Sequence, residues 1–78
     1  MLTPEASRAA RGLLNWSLKD LAERAGVSFT TISSFENGRP SYDSTLVKIA
    51  DVFEAHGVEL VLEDERTGAV LVRARLKD

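Results

Sequence analysis

The stretch Ser17-Leu18-Lys19-Asp20-Leu21-Ala22-Glu23-Arg24-Ala25-Gly26-Val27-Ser28-Phe29-Thr30-Thr31-Ile32-Ser33-Ser34-Phe35-Glu36-Asn37-Gly38-Arg39 decides the reading of the whole chain. Ser17 precedes an apolar-periodic run and Asp20 follows three positions later, the spacing at which a hydroxyl and an acid cap each other's backbone amides. Trp16 before the cap and Leu21 four positions after it are placed to form a hydrophobic staple. A helix is therefore predicted over about Leu18 to Ala25, ended by Gly26, which accepts the left-handed conformation. Ser28 then repeats the start signal, with Val27 placed to staple onto Ile32. This next helix, spanning 28–37, closes near Asn37-Gly38, because Pro40 forbids easy continuation.

Outward from that stretch, Thr3-Pro4-Glu5 reads as another helix start, with a capping threonine, a proline at the first helical position and an acid near the positive end of the dipole. Ala6, Ala9, Ala10, Leu13 and Leu14 follow as one apolar stripe. Ser41 or Asp43 starts a fourth helix, whose Leu46, Ile49, Ala50 and Phe53 again keep the helical period, and Gly57 ends it. The period then falls to two. Val58, Leu60 and Leu62 alternate with Glu59 and Glu63, and Val70, Val72, Ala74 and Leu76 alternate with Leu71, Arg73, Arg75 and Lys77. With the polar stretch Asp64–Gly68 between them, these segments predict a β-hairpin. Pairing Leu60 with Val72 sets Glu59 opposite Arg73 and Val61 opposite Leu71. In that register Val58, Leu60 and Leu62 pack on the helices with Val70, Val72 and Leu76, while Val61 and Leu71 leave an apolar pair on the outer face.

Two short helices parted by one glycine have the arrangement of a helix-turn-helix. Residues 18–37 resemble that motif as it occurs in phage repressor and Cro-type (XRE-like) transcriptional regulators. Leu21, Ala25, Val27, Ile32 and Phe35 stand at the family's core positions, Ala22 where a small side chain lets the helices approach, and Gly26 at the turn. Glu36-Asn37-Gly38-Arg39 matches the close of the recognition helix in many members. The resemblance covers about Thr3 to His56 and implies a mainly α, lambda-repressor-like four-helix DNA-binding domain with a C-terminal two-stranded antiparallel β-hairpin. In domain terms, residues 1–57 form the DNA-binding part and residues 58–78 the hairpin of the same compact domain.

The resemblance also implies roles. A major groove ~12 Å wide admits one helix, and there each base pair shows its own donor and acceptor pattern. The third helix enters with its N-terminal residues toward the bases while the second lies across the backbone. Carried over by position, Ser28, Phe29, Thr30, Ser33 and Ser34 face the bases, and Asn37 and Arg39 hold phosphate, with Lys19 a looser phosphate candidate. Many members place glutamine at the first position of the second helix, where it grips a phosphate. Leu18 stands there in this chain, so that contact is either lost or replaced by its backbone amide or Lys19. Phe29 has two readings: a contact with thymine methyl groups, or a ring folded back onto Trp16 or the protein surface. Arg11 and Glu36 occupy positions where the family forms a partly buried ion pair between the first helix and the end of the third. Trp16 reads as a packing residue and His56 as a dipole partner in a helix's last turn.

Composition limits the alternatives. The 78 residues contain no cysteine, so neither a disulfide framework nor a thiolate metal site is available. No apolar run approaches the ~18 residues of a membrane span, and Met1–Glu5 lacks the features of a secretory signal. A soluble, cytoplasmic protein is expected. The net charge of −2 is unevenly placed: six Lys/Arg against five Asp/Glu up to Lys48, then four against seven. A local basic surface, not a basic protein, is what phosphate requires. No phosphate loop, metal-ligand spacing or supported catalytic set occurs, so neither enzyme activity nor a cofactor is expected. The expected partner is double-stranded DNA, bound by a homodimer on a pseudo-palindromic operator, with Val61 and Leu71 as candidate interface residues. The alternative is a protein-interaction module, such as the antitoxin half of a toxin–antitoxin pair, with the hairpin as its partner surface.

Overall fold

The computed structural model describes residues 1–73 as four helices followed by a hairpin: α1 (Pro4–Leu14), α2 (Leu18–Ala25), α3 (Phe29–Glu36), α4 (Asp43–Ala55), β1 (Val58–Leu62) and β2 (Thr67–Leu71). The caps are where the side-chain chemistry puts them. Thr3 accepts the Ala6 amide hydrogen at 3.1 Å, with Pro4 in the first turn. Ser17 and Asp20 exchange hydrogen bonds at 3.0 and 2.9 Å, a complete capping box. Gly26 ends α2 in the left-handed region at φ 66°, the conformation in which a Cβ would clash with the following carbonyl. Asn15 takes the same conformation after α1, at φ 57°. Tyr42 sits at the N-cap of α4 and makes no side-chain cap bond, so Asp43 opens that helix and Ser41 lies outside it.

The core joins Leu2, Ala6 and Ala10 of the N-terminal segment to Leu21 and Ala22 of α2 and Ile32 and Phe35 of α3. Leu46, Ile49 and Phe53 of α4 and Val58 of β1 complete it. Val27 and Leu18 pack against its margin. The buried face of α1 is turned from the expected stripe. Ala9 and Leu13 are exposed, whereas Ser7 is fully buried. Ser7 points at a carboxylate, described below, and lies on the inward side, which is rotated away from Ala9 and Leu13. Among the described residues no helix is long and apolar enough to cross a membrane.

The hairpin exists but in another register. Leu60 faces Ala69, not Val72, and Val58 faces Leu71, Glu59 faces Val70 and Val61 faces Gly68. The turn is tighter than the expected Asp64–Gly68 loop. The Glu63 amide donates to the Arg66 carbonyl at 2.8 Å and their side chains form an exposed ion pair at 2.8 Å, so the chain reverses over Asp64 and Glu65. Thr67 and Gly68 thereby enter the strand. A shift of three positions, being odd, exchanges the faces of the second strand. Leu71 therefore joins Val58 and Leu60 on the inner side, packed against the core, and the expected outer pair of Val61 with Leu71 does not form. Val70, expected inside, is exposed instead. Arg73 lies past the end of β2 and does not face Glu59. The alternation expected through Ala74, Arg75, Leu76 and Lys77 lies outside the described residues.

Candidate nucleic-acid interface

The face that α3 turns outward is built by helical spacing. Phe29 and Ser33, and Thr30 and Ser34, are four apart and so lie one above the other on neighbouring rows. Phe29 occupies the first position of the helix and is half exposed. Thr30 is exposed and Ser33 and Ser34 are partly so. Side-chain hydroxyls inside helices commonly bond back to the preceding turn. No side-chain hydrogen bond among the described residues engages those of Thr30, Ser33 or Ser34.

Ser28 differs from these three. Its hydroxyl accepts the Thr31 amide hydrogen at 3.2 Å and shares a hydrogen bond with the Thr31 hydroxyl at 2.7 Å, so it is committed to starting the helix. Of the two readings of Phe29, the second is trimmed: Phe29 is not among the ring partners of Trp16, and what remains of that reading is a half-covered ring on the protein surface. Trp16 stacks on Phe53 at 5.9 Å between centroids, meets His56 edge-on at 4.8 Å, and carries the Arg24 guanidinium 4.6 Å above its ring. His56 itself bonds through Nδ1 to the Val52 carbonyl at 2.8 Å.

The far end of α3 is locked. Arg11 Nη2 lies 2.6 Å from Glu36 Oε1, and Arg11 Nε donates to Glu36 Oε2 at 2.9 Å, a fork on a carboxylate only 5% exposed. The Ser7 hydroxyl adds a bond to Oε2 at 2.7 Å. The Glu36 hydrogen bonds raise the Arg11 pKa above its ordinary value; burial opposes this and the attraction of the carboxylate adds to it. Arg11 Nη1 also donates to the Trp16 carbonyl at 3.2 Å, and Arg8 donates to the carbonyl of Glu36. One guanidinium thus touches both the chain entering α2 and the end of α3.

The phosphate candidates differ in how free their side chains are. Asn37 Nδ2 donates to the Ser33 carbonyl at 2.9 Å, so this side chain also closes the helix. Arg39 and Lys19 are exposed. Leu18 packs against the core margin, so the first position of α2 serves packing, and the exposed cation is the next residue along. Sequence reasoning passed over Tyr42. It is 82% exposed and borders an open groove whose walls are Thr30, Thr31 and Ser34 of α3 and Pro40, Ser41 and Thr45 of the following segment. The signal available in the sequence was an aromatic residue at a helix start where a capping side chain belongs.

A sequence model of the helix-turn-helix family matches residues 8–60, more than half of the chain, running from within α1 into β1. No curated protein matches the sequence.

Proposed function

Because the chain belongs to the XRE-type helix-turn-helix family of DNA-binding regulators, we propose that it is a cytoplasmic transcriptional regulator that lays α3 in the major groove of a pseudo-palindromic operator as a homodimer. The observation that carries this reading is the division of α3 into a buried side and an outer row of Phe29, Thr30, Ser33 and Ser34 whose hydroxyls have no partner among the described residues. Groups left in that state are matched by base edges, which present donors, acceptors and methyls to a helix in the groove. Lys19 and Arg39, with Asn37, fix the register on the phosphates, which carry no sequence information themselves.

Dimerisation follows from the operator. Two half-sites ~34 Å apart require two recognition helices. The hairpin supplies the surface, since Val61 and Val70 lie diagonally on its outer face and Val70 is 51% exposed. The expected Val61–Leu71 interface is thus replaced by Val61 with Val70. The same face would serve the alternative, an interaction module such as an antitoxin, and a stable heteromeric complex without duplex binding would favour that.

Selection of bound duplexes from a random pool tests the main reading, with enrichment of a two-fold symmetric sequence expected. With Lys19 and Arg39 each neutralising one phosphate per subunit, log affinity falls against log salt with a slope of about −3.6 for a dimer. Replacing Arg39 by Gln should lessen that slope by about 1.8 without altering sequence preference. Enrichment of no sequence, with sedimentation showing monomers at high concentration, would overturn it.

A further inference from the structure

We infer that the half-site is thymine-rich and is recognised chiefly through thymine C5-methyl groups, with Phe29 as the specificity-determining residue; this rests on the DNA-binding reading above. Three observations converge on it. First, the reading face is chemically unusual for what it lacks. Bidentate recognition of guanine needs Arg or Lys, and that of adenine needs Asn or Gln. The side chains from Phe29 to Ser34 that are at least partly exposed are one aromatic, two threonines and two serines. Glu36 is buried in its fork with Arg11, and the Asn37 amide is tied to the Ser33 carbonyl at the helix's far end. Arg39 follows that same end, roughly 12 Å of helix away from Phe29 at 1.5 Å per residue.

Second, the one large side chain on the face is apolar and sits where the helix meets the bases. Phe29 is 52% exposed at the first position of α3, and the aromatic cluster of Trp16, Phe53 and His56 does not include it. The apolar group that the major groove offers to such a ring is the thymine methyl. Third, the neighbouring hydroxyls discriminate poorly. A serine or threonine oxygen both donates and accepts, so Thr30, Ser33 and Ser34 accommodate several base edges, while the Thr30 methyl adds a second apolar group beside the ring. Selectivity therefore falls to the methyl contacts.

Deoxyuridine tests this, because replacing thymine with it removes the C5-methyl and leaves the base pair and its hydrogen-bonding edges unchanged. The probe is the duplex obtained by selection, with each thymine replaced in turn. For the wild-type chain, loss of a contacted methyl should weaken binding about fourfold per half-site, the factor that ~0.8 kcal/mol per buried carbon group represents, and about fifteenfold when both half-sites are changed. Phe29→Ala should bind the thymine duplex more weakly and be indifferent to the same replacement, whereas Phe29→Leu should keep part of the sensitivity. Both variants should melt with the wild type, since the ring is outside the core. Specific binding that ignores deoxyuridine at every thymine, or Phe29→Ala retaining the full fourfold effect, would overturn this inference alone. Failure to enrich any duplex would overturn the DNA-binding reading and this inference with it.

Discussion

On its inner side α3 presents Ile32, Phe35 and Glu36, all buried, the carboxylate held by Arg11 and Ser7. On its outer side the same eight residues present Phe29, Thr30, Ser33 and Ser34, with three hydroxyls that have no hydrogen-bond partner among the described residues. The inner side is specified to the last polar atom. The outer side is left chemically open, so its residues can change without disturbing the fold. A reading helix needs both conditions, because a base contact is only as precise as the rod that carries it.

The comparison is broken most severely by cutting the lock. Arg11→Met should cost about 3–5 kcal/mol in urea titration, since it strands a carboxylate in the interior. A loss below about 1 kcal/mol, the range of exposed pairs, would show the seam to be ornamental. Adding Glu36→Gln to that variant should recover part of the loss by removing the stranded charge. Next in size comes the cap that starts the rod. Ser28→Ala should cost about 1 kcal/mol, seen as a melting temperature lower by roughly 4–8 °C for a chain of this length.

A smaller effect is expected at α2. Asp20 is held below the ordinary carboxyl range because it accepts the Ser17 amide hydrogen, with the Ser17 hydroxyl bond adding to this. Its contribution is therefore complete above the unfolded pKa of ~3.9 and is lost as pH falls through the depressed folded value. Asp20→Asn should flatten the acid limb of the stability curve and leave its neutral plateau less affected, as denaturant midpoints across pH would show. The smallest effect sharpens the contrast. Thr30→Ala, Ser33→Ala and Ser34→Ala should each change stability by no more than about 0.5 kcal/mol, while all three together weaken duplex binding. A melting temperature several degrees lower would make these hydroxyls part of the fold after all.

The helical part of the chain was legible because its boundaries are written in single side chains. Thr3, Ser17 with Asp20, Ser28 and Gly26 each perform locally the task their chemistry suggests. The Arg11–Glu36 geometry was expected through resemblance alone, since nothing local links residues 25 positions apart. The hairpin register was not legible. Ala69, Val70, Leu71 and Val72 are all apolar, so alternation carries no phase across them, and Gly68 drew the expected turn toward itself. The chain reverses instead at Asp64-Glu65, where the deciding bond between the Glu63 amide and the Arg66 carbonyl leaves no mark in composition. Ser7 was missed for a related reason: a buried hydroxyl follows its partner, which lies on another helix.

The Arg11 side chain reaches the Trp16 carbonyl with one nitrogen and the Glu36 carboxylate with its others. The hinge pin that fixes how α2 and α3 are set against each other therefore belongs to neither. Residues 18–37 transplanted into a foreign scaffold would carry the vocabulary of recognition without its grammar, unless a guanidinium were supplied from a third helix at the same height.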